Sequence, residues 1–195
     1  MHRIPVRQIM TSPPITIRSE AQVADAGEMM DEYRIRRLPV VDEAGCLLGI
    51  ITDSDVLEAE TAGSVLNSYD PDADESWLTV DEIMTTDVIT VTPDETVGQL
   101  VIKLMENKVG GLPVVVPDAD DAKRMKVIGV ISETDIYEMI AEAWRQEEHE
   151  RLMDTGSRRI RVIAQKRGLD WDVLSEDERN QMIDDILHED KTQVE

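Results

Sequence analysis

The chain contains two copies of one sequence pattern, and this duplication constrains its fold more than any other feature. The matching segments are Val6-Arg7-Gln8-Ile9-Met10-Thr11 with Val80-Asp81-Glu82-Ile83-Met84-Thr85, Leu38-Pro39-Val40-Val41 with Leu112-Pro113-Val114-Val115, and Gly49-Ile50-Ile51-Thr52-Asp53-Ser54-Asp55 with Gly129-Val130-Ile131-Ser132-Glu133-Thr134-Asp135. The first two pairs are 74 residues apart and the third is 80 apart, so the second copy carries six extra residues before Gly129. A spacing kept over so long a stretch indicates two copies of one supersecondary unit. We therefore look for function where the copies meet.

Composition restricts the classes of function. The 195 residues carry a net charge of −22, and such a field repels nucleic acid phosphates, so we expect no nucleic acid partner. The single Cys46 excludes an internal disulfide and suits a reducing cytosol. The start of the chain lacks the apolar core of a signal peptide, and no apolar run is long enough for a membrane helix. We expect a cytoplasmic protein with no membrane partner.

Each copy has the pattern of a β-α-β-β-α unit. A helical lead-in (Val6–Met10 or Val80–Met84) precedes a β-favouring stretch, and a helix with one apolar face follows. Two strands come next, joined in the first copy by the turn Asp42-Glu43-Ala44-Gly45, and a last helix opens at Asp53 or Glu133. In the second copy, Thr92-Pro93-Asp94 is predicted to start the helix with one apolar face. The fold class is thus α/β of the α+β type.

The remaining segments define the domain limits. We expect repeat 1 at residues 1–60, a polar linker at 61–77, repeat 2 at 78–145 and a C-terminal helical extension at 146–195. Asp154-Thr155-Gly156-Ser157 is predicted to stop the helix that begins at Glu133. Two short helices should follow. The first, 158–167, is basic and ends at Gly168; the second begins with a capping box of Ser175 and Glu178.

These residues together resemble the cystathionine β-synthase (CBS) domain, and their tandem order resembles a CBS pair, or Bateman module. The resemblance rests on the Met-Thr lead-ins, the Leu-Pro-Val-Val strands and the junctions Thr52–Asp55 and Ser132–Asp135, over about residues 4–57 and 78–143. It implies two repeats packed as a pseudo-twofold pair. It also implies a regulatory module without catalytic activity that binds adenosine-containing ligands between its repeats, and a homodimer formed through its helices.

The strand-to-helix junctions are candidate sites on physical grounds as well. Free N–H groups and the positive end of the helix dipole favour an anion where a helix begins. Thr52 or Ser132 can donate a hydroxyl to a phosphate, and Asp55 or Asp135, three residues later, can accept from both hydroxyls of a ribose. The same Thr/Ser-x-x-Asp pattern is also a capping box, in which the acid satisfies the helix itself. The sequence leaves both interpretations open.

The cations and apolar groups of such a site can also be named. Arg34, Arg36 and Arg37 are the candidates for phosphate contact, with Arg36 and Arg37 preferred, although they could instead pair with surface acids. The second copy has Lys108-Val109-Gly110-Gly111 in their place, so the two clefts should differ, and the glycines would let backbone approach a ligand. By resemblance, the walls of an adenine slot are Ile15, Ile89, Ile50 and Val130, which could equally be plain core.

Three functions remain after the enzyme classes are examined. The chain has no P-loop, no usable Ser-His-Asp set and no His/Cys ligand cluster, so we expect neither catalysis, a covalent cofactor nor a His/Cys metal site.

The first function is a sensor of AMP, ADP, ATP or a related adenosyl compound that regulates a protein partner. The second is a ligand-free dimerisation or assembly module that docks a partner through its helices and acidic tail. The third is a divalent-cation module using the acidic loop Asp118-Ala119-Asp120-Asp121.

Overall fold

The computed structural model describes residues 3–67 and 78–192. The chain divides into two compact units, residues 1–139 and 140–195, and both sequence repeats lie in the first. The elements of repeat 1 are a 3₁₀ helix Val6–Gln8, β1 Ile17–Arg18, α1 Val23–Tyr33, β2 Arg37–Val41, β3 Leu47–Thr52 and α2 Asp53–Asn67. Those that follow are α3 Val80–Ile83, α4 Val97–Asn107, β4 Gly111–Pro117, β5 Met125–Ser132, α5 Glu133–Lys166 and α6 Glu176–Thr192.

The central strands of the two repeats form equivalent antiparallel pairs. β2 pairs with β3, and β1 adds to β2 in parallel; in repeat 2, β4 pairs with β5. The predicted turn at Asp42–Gly45 is confirmed, since Gly45 has φ +80 and Asp42 Oδ1 accepts from the N–H of Ala44 at 2.9 Å. Register shifts lie at equivalent places, between Val40 and Val41 and between Val114 and Val115. The predicted mixed α+β class is confirmed.

The lead-in of each repeat packs into the other repeat, which the sequence analysis did not predict. Val6 is fully buried in the core of repeat 2, beside Leu100 of α4 and Val114 of β4. Val80 is fully buried in the core of repeat 1. Backbone hydrogen bonds fix this exchange: Thr11 and Val130 donate to each other at 2.9 and 3.0 Å, and Thr85 and Ile50 do so at 2.9 Å each.

Two equivalent glycines allow the exchanged lead-ins to lie close to the strands. A Cβ added at Gly129 would lie 2.9 Å from Met10 Sδ and 2.9 Å from the carbonyl oxygen of Thr11. A Cβ at Gly49 would lie 2.5 Å from Met84 Sδ and 2.9 Å from the carbonyl oxygen of Thr85. Because the carbonyl oxygens belong to paired backbone, neither contact can be relieved by rotating a side chain.

We therefore expect Gly129→Ala to destabilise the protein by about 1–3 kcal/mol, the usual cost of overpacking. Gly156 is the matched control, because it lies inside α5 with nothing within 4 Å of an added Cβ. There the same substitution should stabilise by roughly 0.5–1 kcal/mol, because alanine is the better helix residue. Urea unfolding of both variants checks the prediction. Equal effects of the same sign would contradict this account of Gly129.

The two repeats meet through a cluster that is itself duplicated. Val41 and Val115 are equivalent residues, and both are buried in one cluster with Val127. Beside it, the N–H of Val127 donates to the carbonyl oxygen of Gly45 at 3.1 Å, and Arg124 forms an ion pair with Asp42. Equivalent residues thus meet about a common axis, as expected for a pseudo-twofold pair.

Two helix boundaries differ from the sequence predictions. The predicted start at Thr92 is wrong by four residues: Thr92 and Glu95 form a turn, and α4 begins after Thr96, whose side chain accepts from the N–H of Gln99 at 3.4 Å. The predicted stop at residues 154–157 is also wrong, since α5 is continuous through Gly156. Asp154 pairs with Arg158 at 2.6 Å, one turn on, so the residue expected to break the helix supports it.

The second unit contains the rest of α5 and α6. Gly168 has φ +74 and follows the end of α5, as predicted. Ser175 donates from its N–H and its hydroxyl to Glu178 at 2.8 Å each, which confirms the predicted capping box. Among the side chains that the structure describes in this unit, Ala164 and Met182 are buried, and the Arg179 guanidinium lies 5.7 Å from the centre of the Trp171 ring. The predicted C-terminal helical extension is thus present.

The linker prediction overlaps an observed helix. Residues 61–67 were assigned to it, whereas α2 runs to Asn67, in keeping with the helix-favouring Ala62 and Leu66 in the sequence. The rest of the predicted linker, residues 68–77, lies outside the described residues. Within residues 3–67 and 78–192, none of the helices combines the length and the apolar character needed to cross a membrane.

Candidate functional site

A cavity of about 310 Å³ lies in the cleft between the two repeats. Repeat 1 contributes the segment after its lead-in and the corner between α1 and β2. Repeat 2 contributes the end of β5 and the first turns of α5. The lining residues are Thr11, Pro14, Ile15, Arg34, Ile35, Arg36, Arg37, Val130, Ser132, Thr134, Asp135 and Glu138.

Asp135 caps α5 and also faces repeat 1. Its Oδ2 accepts from the N–H and from the hydroxyl of Ser132, both at 2.7 Å. Its Oδ1 receives only a long hydrogen bond, 3.4 Å, from the Thr11 hydroxyl. An ionised carboxylate has about four acceptor positions. Asp135 therefore caps the start of α5 through Oδ2, and its Oδ1 can still accept hydrogen bonds from stronger donors.

Asp55 has the equivalent geometry in repeat 1. Its Oδ2 accepts from the N–H of Thr52 at 2.8 Å and from the Thr52 hydroxyl at 2.7 Å. The Thr52 hydroxyl in turn accepts from the N–H of Asp55 at 3.4 Å. The capping interpretation left open by the sequence thus holds at both junctions.

The arginine corner follows from the way α1 ends. Arg34 is in the left-handed region at φ 54, and its N–H donates to the carbonyl oxygens of Met30 and Asp31, which terminates the helix. The chain then turns through Arg36 into β2. In the described part of the chain, Arg34, Arg36 and Arg37 form no ion pair, so the alternative that these arginines pair with surface acids is wrong there.

Arg37 differs from the other two arginines because it is half-buried. Burial lowers the pKa of Arg37, and the nearby charge of Arg36 lowers it further, whereas Asp53 and Glu133 act in the opposite direction. Its Nη1 is buried and has no hydrogen-bond partner among the described residues. A guanidinium remains protonated in proteins, so this corner of the cavity is cationic.

The cavity brings together some of the residues predicted from the sequence. Those that line it are Ile15, Arg34, Arg36, Arg37, Val130, Ser132 and Asp135. Thr52 and Asp55 are at the equivalent β3–α2 junction, Ile50 pairs with Thr85, and Ile89 packs against the core of repeat 2; these four do not line this cavity.

Several lining residues were not predicted. Thr11 belongs to the Met-Thr segment that is repeated at Met84-Thr85. This repetition could have identified Thr11 as a site residue from the sequence. Glu138 follows Asp135 by three residues and so shares its helix face. Pro14, Ile35 and Thr134 carried no separate signal.

The acidic loop does not form a metal site of the usual kind. The N–H groups of Asp120 and Asp121 donate to Asp118 Oδ1 at 2.9 and 3.2 Å, and they hold the pKa of Asp118 below its ordinary value. Across the residues that the structure describes, no group of three or more His, Cys, Asp or Glu side chains is placed to hold a metal ion. Nothing in this loop favours the divalent-cation hypothesis.

Comparison with known families gives a match that covers both repeats. The family model described as "CBS domain" matches residues 6–62 and 80–142. The chain is also 35% identical, over 131 residues, to L-aspartate semialdehyde sulfurtransferase of Methanocaldococcus jannaschii. That match covers 67% of this chain and 22% of the relative. The chain spans about a quarter of the length of the first such relatives, which include homoserine O-acetyltransferases.

Two solved structures with the same fold match over nearly their whole length. The CBS domain pair of protein MJ0100, in complex with 5′-methylthioadenosine and S-adenosyl-L-methionine, is 32% identical with a TM-score of 0.57. The match covers 71% of this chain and 97% of that one. CBSX2 in complex with AMP is 25% identical with a TM-score of 0.57, covering 72% of this chain and 98% of that one.

Proposed function

The chain belongs to the CBS domain family, and we propose that it is a non-catalytic regulatory module that binds an adenosine-containing ligand between its two repeats. The observation that carries this proposal is the cavity, because both repeats line it and it combines arginines, hydroxyls and a carboxylate. Its volume of about 310 Å³ is near the lower end of the ~300–1,000 Å³ of small-molecule pockets. That size favours the smaller adenosine compounds, such as AMP, within this class of ligand.

Each part of the ligand has a candidate partner. Asp135 Oδ1, which holds only the long bond from Thr11, would accept from the ribose hydroxyls. The apolar faces of Ile15 and Val130 would contact adenine, and Ser132, Arg36 and Arg37 are the donors to its charged or polar substituent. Ile50, Thr52, Asp55 and Ile89 would form the equivalent corner of the opposite cleft, a second candidate position for a nucleoside.

The similar structures support this class of ligand. One CBS pair at 32% identity was solved with 5′-methylthioadenosine and S-adenosyl-L-methionine, and another protein at 25% identity was solved with AMP. All three molecules share adenosine and differ in what extends from its ribose. The candidates here are accordingly AMP, ADP, ATP or a related adenosyl compound, bound without a covalent cofactor.

Regulation would follow from the position of the site. The ligand would contact the α1–β2 corner of repeat 1 and the first turns of α5 in repeat 2. It would favour whichever arrangement of these elements it binds more tightly, and only by that difference in affinity. Because α5 continues to Lys166, a change at its first turn would be carried along the same helix toward a protein partner or a second copy of the chain.

Isothermal titration of the full chain with AMP, ADP, ATP and S-adenosyl-L-methionine tests the proposal. We expect at least one of them to bind with a Kd in the micromolar range, about −8 kcal/mol. A matched titration with guanosine monophosphate controls for general attraction of nucleotides. Absence of heat with all four adenosine compounds, at protein concentrations of roughly 100 μM where micromolar binding is evident, would overturn the proposal.

The alternative is a ligand-free assembly module, and exposed apolar side chains favour it. Ile102 and Met105 of α4 are 55% and 74% exposed, and Tyr137 at the start of α5 is 63% exposed. Sedimentation of the full chain with and without AMP separates the two functions. A dimer in the absence of ligand, together with silent titrations, would favour assembly; a ligand-dependent change in association would favour the sensor.

A further inference from the structure

The part of α5 that lies in the second unit exposes apolar side chains to solvent. Trp144, Leu152 and Val162 are 62%, 63% and 51% exposed. From residue 142 to residue 155 every position is described, and no side chain in that range is buried. A helical stretch of this length gains little stability from propensity alone and usually depends on packing one face against a partner. This stretch of α5 therefore has an uncovered face.

The exposed apolar residues share one face of α5 with an acid and a base. Positions three and four apart lie on the same side of a helix. The residues that follow this spacing, named here the α5 stripe, are Trp144, Glu148, Leu152, Thr155, Arg159 and Val162. Ala164, which is buried, follows Val162 by two positions and so lies on nearly the opposite side. The packing that buries Ala164 therefore leaves the α5 stripe uncovered.

The α5 stripe is complementary to its own reverse. From either end it runs from an apolar residue to a charged one and then to a centre at Leu152 and Thr155. If two copies lie antiparallel about that centre, Trp144 lies near Val162 of the second copy. Glu148 then lies near the second copy's Arg159, whereas in a parallel pair each charge would meet its own kind and be repelled. The pattern thus selects a second copy of this chain in the antiparallel orientation.

The charges of the α5 stripe are available for this pairing. Among the residues that the structure describes, neither Glu148 nor Arg159 takes part in an ion pair, whereas Arg158 beside it is held by Asp154 at 2.6 Å. The surrounding turns have the same polarity, because residues 147–150 include three glutamates and residues 158–161 include three arginines. Complementary charges of this kind fix the orientation of two surfaces more than they add affinity.

We propose that two copies of this chain associate through the α5 stripe, with their α5 helices antiparallel about a twofold axis near Leu152 and Thr155. Such a dimer has two Glu148–Arg159 pairs and two contacts of Trp144 with Val162. The contact is about 27 Å long, at 1.5 Å per residue. This inference goes beyond the proposed function and does not rest on it, because the CBS domain match ends at residue 142 and the α5 stripe follows it.

Sedimentation velocity of the full chain without nucleotide tests the inference. We expect a monomer–dimer equilibrium with a Kd of roughly 1–100 μM, because one pair of helices buries less area than a standard interface. Leu152→Glu places two carboxylates together at the twofold axis and should weaken the dimer by about tenfold or more. Gln146→Glu is the matched control, because it adds the same charge at an exposed position two residues after Trp144, on the opposite side of α5. It should change the Kd by less than about twofold.

Charge reversal tests the antiparallel orientation. Glu148→Lys and Arg159→Glu should each weaken the dimer by about fivefold or more, since each replaces two attractions by two repulsions. The double variant restores both pairs and should return the Kd to within about threefold of the wild-type value. A parallel pair would show no such rescue. Both side chains reach solvent, so these variants also serve if Leu152→Glu does not fold.

Three results would each overturn the inference. The first is a wild-type chain that stays monomeric up to roughly 1 mM. The second is a dimer that is lost in Met105→Glu, on the exposed side of α4, and kept in Leu152→Glu, since the copies would then meet through the repeats. The third is a double charge reversal that is as weak as the single ones. The titrations with AMP test the proposed function separately, so either account can fail without the other.

Discussion

Val6→Asp is expected to unfold the core of repeat 2, although Val6 belongs to repeat 1 in the sequence. Val6 is fully buried among Leu100, Val114 and Ile131. Its N–H donates to the carbonyl oxygen of Glu95 at 2.8 Å, so the segment cannot shift to expose a new side chain without breaking this bond. A carboxylate in such an apolar setting has no partner, and we expect a loss of more than about 4 kcal/mol.

Hydrogen exchange of the variant locates the damage. We expect protection to fall most in α4, β4 and β5, the elements that surround Val6. Gln8→Asp is the matched control, because Gln8 is exposed in the same 3₁₀ helix and should lose little stability. If Val6→Asp melted no lower than Gln8→Asp, or if exchange rose mainly in α1 and β2, the exchange of lead-ins between the repeats would be contradicted.

Asp135→Asn is expected to have the largest effect of a single substitution on ligand affinity. Asparagine keeps the size of the side chain but loses the negative charge that receives donors from Ser132 and Thr11. Under the proposed function it also loses the acceptor for the ribose hydroxyls. A hydrogen bond to a charged group contributes about 1–3 kcal/mol, so AMP should bind roughly 5- to 150-fold more weakly.

Asp55→Asn separates the capping role from the binding role. Asp55 makes the same contacts to Thr52 that Asp135 makes to Ser132, so the two substitutions should cost similar stability. We expect only the Asp135 variant to lose most of its affinity for AMP, measured by titration beside thermal melts of both. If Asp135→Asn lowered the melting temperature and left affinity unchanged, Asp135 would be a helix cap alone. A 2′-deoxy nucleotide bound as tightly as its ribose parent would also exclude the diol contact.

The repeated units were predictable because their signals are local. The Leu-Pro-Val-Val segments, the turn at Gly45 and the junctions at Asp53 and Glu133 each depend on residues close in sequence, and the structure has strands, a turn and helix starts there. Ser175 and Glu178 were found for the same reason, since a capping box spans three residues. Residue propensities and local sequence patterns determine features of this kind directly.

The exchange of lead-ins was not predictable from the same signals. Val6 and Val80 occupy the same position in the two matching segments, so the repeated pattern does not indicate which core each one enters. The continuity of α5 was missed for a related reason: Gly156 and Asp154 each disfavour a helix, but the pair of Asp154 with Arg158 and the length of the flanking helix outweigh them.

The candidate site was predictable in kind but not in its asymmetry. The residue types at Ser132, Asp135 and Arg37 indicated a site for a sugar and an anion, and the structure places these three at one cavity. The sequence showed that the clefts differ, because Gly110 and Gly111 stand where repeat 1 has Arg36 and Arg37. It did not show the physical cause of this difference. That cause is the Arg37 side chain of the other repeat, which lies over those glycines, a contact that only the folded pair creates.

A crystal structure of the full chain grown with AMP tests the central claim most directly. The account predicts density for one nucleotide in the cavity, with its ribose within hydrogen-bond distance of Asp135 and its phosphate at Arg36 or Arg37. Density that shows this cavity closed by the protein's own side chains, with no room for a nucleoside, would contradict it.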